Sequence, residues 1–309
     1  MRTILTASGI LAACGVALAL SPTIDGIGID NANWGAGLAV QNTNTQFGNN
    51  FNELDQLFVT SDTANVYVGL TGNIADNNAI VVFFDTVAQP ANPAGEVITT
   101  TSLGMPCPAG PVPTLVQMYS GTTMEPGFNP EFALLISVGL FPGQSTSQLV
   151  YATDLVNIGA LTTEVLGIGA VGTGNGNLTG NSGAAVAVNN SNTGGIDCWD
   201  NGSDPNNPCS GPNADPGAAA GVTTGIEIKI PKTLLGISGA PTIRVFANLS
   251  NNAQGGGSGP CGREGFSSNQ ALPGVGGFGN LASFSPNGPF LLNFVNVPGT
   301  QFVSVTLPQ

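Results

Sequence analysis

Residues 53–74, "ELDQLFVTSDTANVYVGLTGNI", decide the fold class. Gln56–Ser61 is an apolar and β-branched run, Asp62-Thr63-Ala64 breaks it with a polar turn, and Asn65–Thr71 resumes with Val66, Val68 and Leu70 spaced two apart. A period of two turns alternate side chains to one face, so two such segments around a short polar break read as a β-hairpin.

The same signal recurs on both sides of the hairpin. Further strands are expected at Ala79–Phe84, Val97–Thr101, Phe132–Val138, Gln148–Ala152, Val165–Val171, Ala184–Val188, Gly225–Ile230, Thr242–Leu249, Phe290–Phe294 and Gln301–Leu307. Gly, Asn, Pro and Asp clusters separate them. The sequence therefore predicts an all-β, antiparallel β-sandwich of jelly-roll type with long Gly/Asn/Pro-rich loops. One short helical turn is expected at Pro231–Gly236, with Pro in its first turn and Gly at its end. Gly172–Gly183 and Asn251–Gly259 read as low-complexity loops, and no repeat period marks a solenoid or propeller. Residues 20–309 are expected to form a single domain.

Composition restricts the partners and the chemistry. Of 309 residues 41% are hydrophobic and only 7% charged, so Asn, Thr, Ser and Gln must wet much of the surface. Five Lys+Arg against 18 Asp+Glu give a formal net charge of -13, which excludes the clustered cations of a nucleic-acid interface. The chain has no histidine, which removes Ser-His-Asp and Cys-His catalysis. A glycosidase needs only two carboxylates, for which Glu53, Asp55, Asp85, Glu227 and Glu264 are the candidates.

The N-terminus reads as an export leader. Arg2 precedes an apolar stretch from Ile4 to Leu20, and Ala17-Leu18-Ala19 supplies an A-x-A site, so residues 1–19 are expected to be a signal peptide. Leu11-Ala12-Ala13-Cys14 also matches a lipobox that would put a lipid on Cys14; the apolar run continuing past it favours ordinary cleavage. No later segment reaches the roughly 20 apolar residues of a membrane span. A secreted or cell-surface location follows. Cys107, Cys198, Cys209 and Cys261 then suit two disulfides, for which we favour Cys198–Cys209 and Cys107–Cys261 among the three connectivities. Zinc is disfavoured, because no two cysteines stand at ligand spacing.

One loop concentrates candidate ligand chemistry: "GIDCWDNGSDPNNPCSG", residues 195–211. Asp197, Asp200 and Asp204 are oxygen ligands of the kind calcium takes, without the EF-hand spacing; a turn-rich loop closed by a disulfide is the alternative. Trp199 between two of them presents an aromatic face to a sugar ring, or packs on the disulfide. Trp34 reads as a core anchor. Ser268, Asn269 and Gln270 could hydrogen-bond sugar hydroxyls or satisfy loop backbone. Glu227 and Lys229, two apart on a strand, read as a solvated face.

Three segments carry a resemblance. "TIDGIGIDNANWG" (Thr23–Gly35), the hairpin at Glu53–Ile74 and "TGIEIKIPKTLLG" (Thr224–Gly236) resemble the opening, the next hairpin and the late strand of family-nine carbohydrate-binding modules and DOMON-like domains. A closer resemblance is to uncharacterised exported bacterial proteins that share "NNSNTGG" (Asn189–Gly195), "TTGIE" (Thr223–Glu227) and an "SNQ-x-LPG" segment (Ser268–Gly274). The wider resemblance implies sugar binding by stacking on tryptophan. It also includes haem binders that use His or Met. This chain has no His, and Met105, Met118 and Met124 lie in loop-like sequence.

The expected function is therefore that of a non-catalytic extracellular or cell-surface protein with weak carbohydrate binding supported by calcium. The alternatives are a self-associating structural protein of the envelope or matrix, and a carboxylate-dependent glycan hydrolase. An exposed Trp199 would favour the first, a long uncovered edge strand the second, and paired carboxylates in a cleft the third.

Overall fold

The computed structural model describes residues 21–43, 52–87, 96–98, 104–105, 112–113, 119–139, 149–158, 160, 162–172, 182–196, 216–239, 241–254, 263–275, 281–283 and 292–307. Along the chain the strands are β1 (Ala39–Val40), β2 (Glu53–Ser61), β3 (Asn65–Asn73), β4 (Asn78–Asp85), β5 (Glu96–Val97), β6 (Gly104–Met105), β7 (Val112–Pro113), β8 (Thr123–Met124), β9 (Phe132–Gly139), β10 (Val150–Asn157), β11 (Thr162–Ala170), β12 (Ala185–Val188), β13 (Gly225–Pro231), β14 (Thr242–Gln254), β15 (Arg263–Leu272), β16 (Ala282–Ser283) and β17 (Val303–Thr306). One sheet has five strands in the order β1-β2-β3-β13-β12. The other has eight, β11-β10-β9-β4-β14-β15-β16, with β17 also on β14. The pairing throughout both sheets is antiparallel, and both are open, so the fold is an all-β sandwich.

The hairpin at residues 53–74 forms as the sequence predicts. Asp62 makes its turn: Oδ1 accepts the N–H groups of Ala64 (2.7 Å) and Asn65 (2.6 Å), and Oδ2 accepts the Tyr67 hydroxyl (2.6 Å). Partial burial opposes ionisation here, but the bonds donated by Tyr67, Ala64 and Asn65 outweigh it and hold the carboxyl well below the usual carboxylate range. Leu57, Val59, Val66, Val68 and Leu70 point inward from this hairpin. They meet Val82 and Phe84 of β4, Leu134 and Ile136 of β9, and Val245 and Leu249 of β14, in one apolar core between the sheets.

Each sheet is also covered on its outer face. Over the eight-stranded sheet lie Phe83, Tyr119, Phe128, Phe246 and Phe294, with Tyr119, Phe128 and Phe294 supplied by the irregular segments 119–131 and 292–302. Over the five-stranded sheet, Ile24, Ile29 and Trp34 cover Phe58, Tyr67, Ala185 and Ala187. Trp34 lies at 2% exposure in the helical turn Asn31–Trp34, whose preceding residue Asp30 caps it by accepting the Ala32 N–H at 2.9 Å. Gly69 beneath it has no room for a side chain, since a Cβ there would sit 2.8 Å from Ile29 and 3.1 Å from the Trp34 ring.

This second layer corrects one expectation. Glu227 is not on a solvated face: it has 0% exposure, because residues 24–34 pack onto the side of β13 that it shares with Lys229.

Other differences are local. β15 is a strand where no strand signal was read, and Phe294 opens the 3₁₀ turn Phe294–Asn296 rather than ending a strand. The Asn293 side chain caps that turn by accepting the Val295 N–H. Pro231–Gly236 forms successive turns, with bonds from Leu234 to Pro231 and from Leu235 to Lys232, ending at Gly236 with φ 63°. Of the strand expected at Val97–Thr101, Val97 lies in β5 and Ile98 just past it, and residues 99–101 lie outside the described ones. Among the described residues no helix is long and apolar enough to cross a membrane.

Candidate functional site

The described chain reaches the Asp/Trp/Cys-rich loop at Ile196, and the sandwich grips it there. β2 bulges beside this point: Leu54 faces Gly72 and Gln56 faces Thr71, which leaves Asp55 as the extra residue. Gly72 permits the bulge, with φ 126° and a backbone so close that a Cβ would lie 2.2 Å from the Glu53 carbonyl oxygen. Asp55, at 0% exposure, accepts the Ile196 N–H at 3.0 Å. Glu53, also at 0%, accepts from the Asn192 side-chain amide at 2.5 Å.

The segment Asn189–Ile196 is fastened by its asparagines. Asn190 accepts from the Ile74 N–H (3.0 Å) and donates to the Ile74 carbonyl, so one side-chain amide continues the ladder past the end of β3. Asn73 donates to the Asn192 carbonyl (3.0 Å), and the Asn192 side chain bonds both backbone groups of Gly194. At Gly195 the φ is 129°, and a Cβ would fall 2.4 Å from Asp55 Oδ1. Only glycine fits between the carboxylate and the turning chain. Two buried carboxylates and three asparagines thus fix the position from which residue 197 onward departs.

Ser268, Asn269 and Gln270 come to the same end of the sandwich from β15, and they are buried, at 0%, 1% and 0%. In the β14–β15 pairing Asn248 faces Ala271 and Ser250 faces Ser267, so all three stand opposite Leu249 in a wide bulge. Asn248 donates to the carbonyls of Ser268 (2.9 Å) and Gln270 (3.2 Å). Its Oδ1 collects hydroxyl donors from Tyr119, Ser250 and Ser267. Burial pushes the Tyr119 hydroxyl up to about 12, so it stays a neutral donor. Ser268 donates to the Leu249 carbonyl and accepts the Gln270 N–H (3.1 Å). Gln270 Oε1 accepts the Leu54 N–H (3.2 Å) and the Gln41 side-chain amide (3.3 Å), linking β15 to β2 and to the end of β1. The Ser268 and Gln270 side chains thus satisfy backbone and neighbouring side chains inside the fold.

Other carboxylates read as acid/base candidates are likewise engaged. Asp85, at 2% side-chain exposure, pairs with Arg244 at 2.8 Å, and Arg244 lies over the Phe302 ring at 5.7 Å. Glu227 accepts two backbone N–H groups from the N-terminal segment. Met124 is buried under the aromatic layer.

Asp197, Trp199, Asp200 and Asp204 lie outside the described residues, as do Cys107, Cys198, Cys209, Cys261 and Met118 and the side chains of Met105 and Glu264. Among the described residues, no three His, Cys, Asp or Glu side chains come together as a metal-holding group. Reading the sequence missed the roles of Glu53 and Asp55 as the loop's anchors. The only trace of them was the unusual asparagine run at residues 189–192, which supplies amides for a non-strand segment to dock on a sheet end.

No known protein family, curated protein or solved structure matches this chain.

Proposed function

We propose that the chain is a non-catalytic protein of the cell exterior, secreted or held at the cell surface, whose loop 197–209 makes weak, calcium-supported contact with polysaccharide. The observation that carries this reading is the anchoring of Ile196 on the fully buried Asp55, reinforced by Glu53 on Asn192. A fixed root lowers the entropy a loop loses when it meets a ligand. Trp199 supplies a stacking surface on that loop, and Asp197, Asp200 and Asp204 supply oxygens for calcium. The engagement of Glu53, Asp55, Asp85 and Glu227 inside the fold supports a binding role over glycoside hydrolysis, which needs carboxyl groups facing a substrate.

The test is a glycan and polysaccharide array probed with the purified protein, with calcium and again with chelator, beside Trp199→Ala. Binding that falls at least about tenfold in the variant is expected, as is a further loss in chelator. Silence across the array would reject the carbohydrate reading.

A second reading, self-association in the envelope or matrix, is favoured by β11. This nine-residue strand ends the eight-stranded sheet, its residues Thr162 to Val165 are exposed in succession, and Val165 is 71% exposed. Glu164 is its one charged residue. Such an edge is a template for another strand. Sedimentation across a concentration series should then show oligomers that Val165→Lys weakens by about tenfold or more; a monomer at every concentration would rule this reading out.

A further inference from the structure

The cover over the five-stranded sheet is tied to two carboxyl groups: Asp62, whose Oδ2 accepts the Ser21 hydroxyl at 3.0 Å at the segment's start, and Glu227 further along. Glu227 Oε2 accepts the N–H groups of Asp25 (2.6 Å) and Gly26 (2.7 Å). Gly26, at φ 83°, lets the segment approach as closely as backbone allows: a Cβ there would lie 2.6 Å from that of Asn189. Past Gly26 the segment bridges Ile27 to Thr224 and donates from the Ile29 N–H to the Thr223 carbonyl at 2.9 Å. It then lays Ile29 and Trp34 over Phe58 and Tyr67.

Little in the surroundings of Glu227 compensates a negative charge. Its cross-strand neighbours are Gly69 of β3 and Ala187 of β12, neither ionisable. On the covering segment the nearest charge is Asp25, of the same sign. Lys229 lies two residues along β13, opposite Tyr67 and Ala185, and Tyr67 donates its hydroxyl to Asp62. Neither the Lys229 ammonium nor any other described cation is within ion-pair distance of Glu227; the one ion pair among the described residues is Arg244–Asp85. Glu227 Oε1 is buried without a partner. Two backbone N–H groups and the Trp34 indole are left to favour an ionised carboxyl in an apolar setting, and a protonated one fits the same place with far less desolvation penalty.

We propose that Glu227 makes residues 21–34 a proton-controlled latch, closed most firmly when the carboxyl is protonated and loosened when it is ionised, so that the apolar face of Phe58 and Tyr67 beneath becomes accessible. Burial pushes the group up to about 7, against the pull of the Gly26 and Asp25 N–H groups and the Trp34 indole, with the Asp25 charge adding to the rise. Because the closed-state value is raised above the ordinary 4.5, the stabilisation from the latch is fully present below pH 4.5 and is lost as pH rises through about 7. This is opposite in direction to a carboxylate held in a salt bridge.

Hydrogen exchange of the amides of residues 24–34, corrected for the intrinsic pH dependence, tests the latch in the purified protein. Opening should increase about seventyfold between about pH 5 and about pH 8.5 in the wild type, from the raised value and linkage. In Glu227→Gln, whose side-chain oxygen accepts the same two N–H groups without charge, protection should be independent of pH. A wild-type response that persists unchanged in the variant, or wild-type protection that does not vary with pH, overturns the proposal. The carboxyl-carbon NMR titration of Glu227 in the wild type needs no variant: a midpoint near 7 supports the latch and one near 4.5 overturns it.

Discussion

Phe246→Ala is expected to lower the free energy of unfolding by about 3–5 kcal/mol, read from denaturant midpoints at unchanged slope. Phe246 is on β14, but it points away from the core between the sheets. Its ring stacks on Phe83 at 6.2 Å and meets Phe294 (5.4 Å) and Phe128 (6.4 Å) edge-on, at 1% exposure. In a plain two-layer sandwich this side chain would face water, and truncation would change stability by less than about 0.5 kcal/mol. A large loss therefore measures the outer layer that segments 119–131 and 292–302 lay over the sheet. A result near zero would mean that layer is not in place in solution.

Gly195→Ala is expected to destabilise the protein by about 2 kcal/mol or more, through a disfavoured backbone and a displaced acceptor. The new methyl would meet Asp55 Oδ1 at 2.4 Å and at a φ of 129°, so either the chain turns elsewhere or the carboxylate leaves the Ile196 N–H. Gly194→Ala is the control. No atom lies within 4 Å of a Cβ at that position, and its effect should stay within about 0.5 kcal/mol. If the anchored loop carries the ligand contact proposed above, Gly195→Ala should weaken array binding and Gly194→Ala should not. Equal effects of the two substitutions would show that Asp55 does not set the loop's geometry.

The all-β architecture was legible because its signal is local. In the hairpin at residues 53–74, alternation and the turn chemistry of Asp62 are properties of neighbouring residues, and both strands formed with slightly longer bounds. β15 was missed for the converse reason. Ser267-Ser268-Asn269-Gln270 has no β-branched or alternating pattern, and the polar groups of Ser267, Ser268 and Gln270 are met inside the fold by partners distant in sequence, among them Asn248, Tyr119, Leu54 and Gln41. Glu227 looked like a surface residue because its cover comes from Asp25 and Gly26, 202 and 201 positions earlier. Asp55 likewise meets Ile196 across 141 positions. Composition could place carboxylates in the chain but could not say which of them would end up holding backbone.

The order of the strands in the larger sheet also governs when this protein can finish folding. β4 sits between β9 and β14, and the Asp85–Arg244 contact that joins β4 to β14 spans 159 residues. As the chain emerges from its N-terminus, β4 can pair with β9 early, yet its other edge, carrying Val81, Val82, Phe83 and Phe84, stays open until β14 has been made. β17 then arrives last, on the first residues of β14. Closure of long loops before any reward makes such assembly slow, and an open apolar edge in the interval is exposed to pairing with other chains. Fragments ending before residue 242 should therefore aggregate rather than fold, and a holdase that shields β4 would raise the yield of the complete protein.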